Sequence, residues 1–261
     1  MNTSPKRAAF CDVDQTLVRG ASSYHLAREL YRRGFFGLSD LWYAARQSAL
    51  YVACGEDPRR IRRIVERALH MIAGHHVDEV VSVGRHIVAD MYSRKLFEET
   101  LGILRRHEQL GHEVWLLSAT PQEVTELLAE HVGATGALGT RVRRQDGIYV
   151  GELASPIMHG PEKAHAAREL ARERGFELAD CWAYSDSASD LPLLRAVGHP
   201  CAINPDPKLR AVARESGWPI LELRRAGGLL YRRGTRRGAY VAGGWWVYRY
   251  LRKRFGRSRQ R

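Results

Sequence analysis

Short apolar runs at residues 7–13, 113–117, 181–184 and 200–203 are separated by stretches of helical periodicity, and the first three stop abruptly at polar or acidic residues. Continuous apolar runs of this length suit strands buried on both faces. Strands alternating with helices predict an α/β fold with a mostly parallel sheet covered on both sides. A further strand near 219–223 follows a helix at about 206–215. A hairpin is predicted where 141–144 and 148–150 flank Asp146-Gly147, a strong type I′ turn signal. Helices are predicted at about 95–110, at 121–132, at 161–174 and from Leu191 onward.

Residues 20–92 interrupt the alternation. Segments 22–34, 38–53, 58–73 and 77–92 carry helix-spaced apolar residues, broken at Gly34, Gly37, Gly55 and Gly74, and no strand pattern falls among them. The reading is a core domain of 1–19 and 93–223, with an α-helical domain of 20–92 inserted in it. Residues 224–261 differ again: they hold 13 Arg or Lys and no acid, whereas 1–223 carries a net charge of −1 out of the chain's +12. The basicity therefore belongs to the tail. The four cysteines form no CxxC pair, which argues against a disulfide framework or zinc and for a reducing cytoplasmic setting. The first ten residues reach a polar motif too early for a secretory leader.

Ligands of open α/β sheets bind outside the carboxyl ends of the strands, and four features fall there. Asp12 and Asp14 share one face at the end of the first strand, where they repel each other unless a cation or shared proton intervenes. An acidic strand-end turn is the plain alternative. Ser118-Ala119-Thr120 follows the second strand; a hydroxyl with the N–H groups opening the next helix makes an anion site, though Ser before a helix also serves as a simple N-cap. Lys163 falls in the first turn of a helix opened by Pro161, where the helix dipole disfavours a cation and an anionic partner would favour it. The alternative is a solvated Lys offset by Glu162. Asp186 and Asp190 lie in a loop of small polar residues, and oxygen ligands of this kind suit magnesium.

The order DxDxT, Ser after a strand, Lys, then an acidic D-x3-D loop resembles the haloacid dehalogenase (HAD) superfamily over about residues 8–205. The runs "HGPEK" and "YSDSASDLPLL" are similar to its phosphoserine-phosphatase-like subgroup, subfamily IB. The resemblance implies a Rossmann-like core with a helical cap and a phosphomonoester hydrolase working through an aspartyl-phosphate. Asp12 would be the nucleophile and Asp14 the general acid and base. Ser118, the backbone of Ala119 and Lys163 would hold the phosphoryl oxygens. Asp12, the Asp14 carbonyl and Asp186 would hold Mg2+, with Thr16 and Asp190 in support. Three positions depart from the family pattern. Gln15 stands where Gly is commonest, Ala21 where phosphoserine phosphatases place a Glu that reads the substrate amine, and Ala119-Thr120 where they place Gly-Gly. The last two argue for a small phosphorylated metabolite other than phosphoserine.

The tail sets Trp245, Trp246, Tyr240, Tyr248 and Tyr250 beside arginines. Its apolar stretch is too short to span a bilayer, but such residues favour an anionic membrane interface at about 1 kcal/mol per basic residue. This raises the alternatives of a peripheral protein of the inner membrane face that acts on a lipid phosphate, and of a non-catalytic binding protein. Packing of the two tryptophans on the core is an equal reading, and nucleic acid a weaker one. Arginines of the inserted segment, with Tyr24 and His25, are candidates for the substrate entrance.

Overall fold

Ala8–Asp12 forms strand β1, whose first four residues are completely buried. In the computed structural model, which describes residues 6–20, 29–30, 33, 65–70, 72–89 and 95–223, this strand sits inside a six-stranded sheet. The other members are β2 (Glu113–Pro121), β3 (Gly136–Thr140), β6 (Trp182–Ser185), β7 (His199–Ile203) and β8 (Ile220–Leu221). Their order is β3-β2-β1-β6-β7-β8, and every pairing is parallel. The order reverses between β2 and β6, on either side of β1, so the carboxyl end of β1 is the switch point at which open α/β sheets bind ligands. β4 (Val142–Gln145) and β5 (Ile148–Leu153) pair separately as an antiparallel hairpin. Its turn residues Asp146 and Gly147 have φ of 50° and 78°, the left-handed pair that a type I′ turn demands.

Helices cover both faces. On one, Ala8, Phe10, Leu117, Ala183 and Ala202 meet apolar residues of α4 (Pro161–Arg174), α5 (Leu191–Leu194) and α6 (Pro207–Glu215). On the other, α2 (Glu98–Gln109) brings His107 against the hydroxyl of Tyr184 and Thr100 against the carbonyl of Thr16. α3 (Gln122–Val132) packs on β2 and β3, and α1 (Val77–Ile87) packs on α3, with Gly84 close to Val124 and Leu127.

The predicted fold class holds, with two differences of detail. Strand β3 was not predicted. Its sequence, Gly-Ala-Leu-Gly-Thr, has little intrinsic strand preference; the glycines are there for contact. A Cβ on Gly136 would lie 2.5 Å from the Trp115 ring, and one on Gly139 would lie 2.6 Å from the Gln122 Cα. The helix from Leu191 is a single turn rather than a full element.

The inserted segment leaves and re-enters through a short stem. The Arg19 N–H donates to the Lys95 carbonyl (2.8 Å), the Phe97 N–H donates to the Leu17 carbonyl (2.9 Å), and Val18 bridges Leu96. Residues 65–70 and 72 of the expected helical stretch are helical. The expected helices at 22–34 and 38–53, Tyr24, His25 and the tail 224–261 lie, wholly or nearly so, outside the described residues. Among the described residues no helix is long and apolar enough to cross a membrane.

Candidate active site

β1 ends at Asp12, and the chain then turns so sharply that Leu17 and Val18 both donate to the Val13 carbonyl. Asp12 is buried and Asp14 half-buried. Gln15 makes the turn with φ of 63° and donates its N–H to the Val18 carbonyl (2.7 Å). That left-handed conformation suits glycine and costs other residues about 1 kcal/mol, which is the physical sense of the Gly usual at this position. Thr16 is fully buried; its carbonyl accepts from Thr100, while its own hydroxyl finds no partner among the described residues.

Lys163 comes to Asp12 from 151 residues away. Gly160, at φ 57°, turns the chain into α4 against the Ser189 carbonyl, and Lys163 follows in the first turn. It is only 4% exposed, which overturns the alternative of a solvated surface lysine. Its ammonium donates to Asp12 Oδ1 (2.5 Å) and to Asp190 Oδ2 (2.8 Å). Burial pulls the ammonium's pKa down, but these two carboxylates more than reverse that and hold it well above the usual lysine value. Ser185, at the end of β6, donates its hydroxyl to the same Asp190 oxygen (2.8 Å). The other oxygen, Asp190 Oδ1, is buried without a hydrogen-bond partner among the described residues.

Ser118, in the carboxyl-terminal half of β2, is buried and accepts the Thr120 N–H (3.1 Å). It is not an N-cap, as the plainer alternative held, because β2 continues to Pro121 and α3 begins only at Gln122. Its hydroxyl proton remains available to donate. Ala119 is exposed at the same strand end, with its carbonyl accepting from Thr140. Asp186 is buried just past β6. The expected site residues thus all sit at the carboxyl ends of β1, β2 and β6 or in the first turn of α4, and direct contacts join Asp12, Lys163 and Asp190. Two contributors escaped the sequence reading. Ser185 lies inside the acidic run but had no assigned partner. Asp206 carried only the helix-start signal of Asp before Pro207.

The charge balance is uneven. Among the described residues the buried charged side chains are Asp12, Asp186, Asp190 and Lys163, three carboxylates to one ammonium. Burial, opposed by Lys163 and reinforced by Asp190 and Asp14, pushes the Asp12 carboxyl up to about 7. The sheet end thus brings together a carboxylate pair, a captive lysine and a buried hydroxyl, with more negative charge than Lys163 alone offsets.

That construction defines a class. The haloacid dehalogenase-like hydrolase family matches residues 9–195, and the chain belongs to that family. Within it the chain is a phosphatase of the phosphoserine-phosphatase-like kind. It is 41% identical over 218 residues (83% of this chain, 71% of the relative) to the phosphoserine phosphatase SerB1 of Mycobacterium tuberculosis. It is 26% identical over 223 residues (84% of this chain, 100% of the relative) to a histidinol-phosphatase of Neisseria meningitidis. Among solved structures, a Bordetella pertussis protein of unknown function superposes with a TM-score of 0.76 at 27% identity, covering 85% of this chain and all of that one.

Proposed function

We propose that this phosphatase hydrolyses a small phosphorylated metabolite by passing the phosphoryl group through Asp12. The observation that carries this is the buried lysine shared between Asp12 and Asp190 at the carboxyl end of the sheet. Asp12 attacks phosphorus, and the bond to the leaving oxygen breaks as Asp14 protonates that oxygen. Asp14, now a carboxylate, takes a proton from the water that attacks the aspartyl-phosphate. This releases phosphate and restores Asp12. Lys163 and the Ser118 hydroxyl hold phosphoryl oxygens, with the exposed backbone at Ala119 beside them. Asp190 and Ser185 keep the lysine in place when a phosphoryl oxygen takes over its contact with Asp12.

Magnesium fits these residues. The surplus of buried carboxylate and the raised Asp12 value call for a second cation. Asp12, Asp186 and the Asp14 carbonyl would hold it, Thr16 would support the turn that presents that carbonyl, and Asp190 would brace the shell. Among the described residues no three His, Cys, Asp or Glu side chains form a metal cluster; this reading needs only two, as is usual for magnesium. When bound, the ion neutralises charge on the phosphoryl group during transfer. The inserted segment, as a helical cap domain, would select the substrate. The relatives named for phosphoserine and histidinol phosphate suggest amine-bearing metabolites, while Ala21 removes the acid that phosphoserine recognition uses elsewhere in the subgroup.

The test is phosphate release from a panel of esters with magnesium: phosphoserine, histidinol phosphate, sugar phosphates, nucleotides and an aryl phosphate. Asp12→Asn is expected to abolish turnover, by at least about a thousandfold, and chelator to do the same. Turnover that survives Asp12→Asn would sink the nucleophile assignment. A second reading, attachment to an anionic membrane surface through 224–261 and action on a lipid phosphate, is favoured only by the tail's composition. Equal sedimentation with anionic vesicles by the full chain and by 1–223 would remove it.

A further inference from the structure

Asp206 caps helix α6 and does more than cap it. Its Oδ1 accepts the Leu209 N–H (2.7 Å), the usual N-cap bond. Its Oδ2 reaches 18 residues back to accept the Ala188 N–H (2.9 Å). Its own N–H donates to the Asp186 carbonyl (2.8 Å). One residue thus grips both sides of the segment that carries Asp186 on to Asp190. Ala188 opens the short 3-10 turn Ala188–Asp190, and the carboxylate of Asp190 anchors Lys163. Asp190 also ties the end of the loop to Lys163 of α4, and two serines add local bonds. Ser185 Oγ accepts the Ser187 N–H (3.2 Å), and Ser187 Oγ accepts the Ser189 N–H (3.3 Å). Neither links the loop to another element.

We propose that Asp206 is a positioning residue: its two-sided grip on the backbone of Asp186 and Ala188 sets the acidic loop from which Asp186 and Asp190 project. A metal ligand is only as well placed as the groups that orient it, and Asp206 supplies that orientation for this loop from the start of a helix seated on the sheet. In its consequence for magnesium the inference rests on the proposed function; in its geometry it does not.

Two single variants of the full chain remove the same hydrogen bond from opposite sides. Asp206→Asn keeps one acceptor for Leu209 and a good N-cap, but turns an amide donor toward the Ala188 N–H. Ala188→Pro deletes that N–H and leaves Asp206 untouched. Proline suits the first position of a turn, and Ser187 before it already has the extended backbone proline requires, φ −118° and ψ 139°. Both variants are to be compared with the wild type by thermal melting, by hydrogen exchange of residues 184–190 without metal, and by calorimetric magnesium titration. The expected result is melting close to wild type, faster exchange confined to the loop, and a magnesium dissociation constant raised about tenfold. Loop exchange and magnesium affinity within twofold of wild type, in either folded variant, overturn the inference. If the wild type binds no magnesium, the metal reading fails, and the exchange measurement alone decides the clamp.

Discussion

The two ends of the sheet treat buried ionisable groups in opposite ways. At the carboxyl end, β6 finishes in Ser185 beside the buried contact of Asp190 with Lys163. At the amino end, the same strand begins with Trp182, stacked between His112 (ring centroids 4.8 Å apart) and His199 (4.5 Å). His107 lies behind them. Its Nδ1 is 2.9 Å from the His112 Nδ1 and its Nε2 is 2.8 Å from the Tyr184 hydroxyl. Here burial, with His112 adding to it, pulls the His107 imidazole down to about 4, so it is neutral at physiological pH. One end gathers buried carboxylates around a single ammonium; the other keeps its interior free of charge. The first arrangement is costly to break and useful for chemistry, while the second stabilises only while its protons stay off.

Removing the matched cation tests the contrast most severely. Lys163→Met leaves Asp12 and Asp190 buried together, and a stability loss of about 3–5 kcal/mol is expected with activity near zero. Chemical denaturation and phosphate release check both, and a variant as stable as the wild type would show that the ammonium is not what balances that end.

The opposite end should respond to pH. The unfolded chain binds a proton at this histidine near pH 6.5 and the folded chain only near pH 4, so the native state holds fewer protons in between. Stability is therefore flat above about pH 6.5 and falls as the pH drops through that window. His107→Gln should lose roughly 2 kcal/mol less than the wild type between pH 7 and 4.5. Parallel stability–pH curves would show that the fold leaves the His107 pKa where the unfolded chain has it.

A smaller effect is expected at Gln15. Its left-handed backbone predicts that Gln15→Gly changes stability by no more than about 1 kcal/mol, with strain relief opposing the entropy of a freer unfolded chain. A larger loss in a urea titration would mean that the glutamine side chain makes contacts of its own.

The places of Asp12, Asp14, Lys163 and Asp186 were legible because apolar strands end at the acids and Pro161 opens the helix that carries the lysine. Helix α4 was legible from Pro161 to Arg174 because proline and glycine punctuate it. Strand β3 was not, since its residues were selected for how closely Trp115 and Gln122 approach, and such contacts leave no periodic trace. Asp206 was legible only as the start of a helix at about 206–215, because its second oxygen serves a residue distant in sequence. The link from His107 to Tyr184 spans 77 residues, and neither has a neighbour that announces it.

The stem joining 17–19 to 95–97 has a consequence for how such a protein diversifies. The insertion begins and ends at points already tied together by the core's own backbone. Its length can therefore change at a cost that grows only slowly, about 0.6 kcal/mol per doubling for a flexible loop. No catalytic strand need shift its register. The far end of the segment is not free in this way: α1 packs on α3, and the Val77 N–H donates to the Gly147 carbonyl (2.8 Å), so a change of length that leaves the core undisturbed has to fall before residue 74.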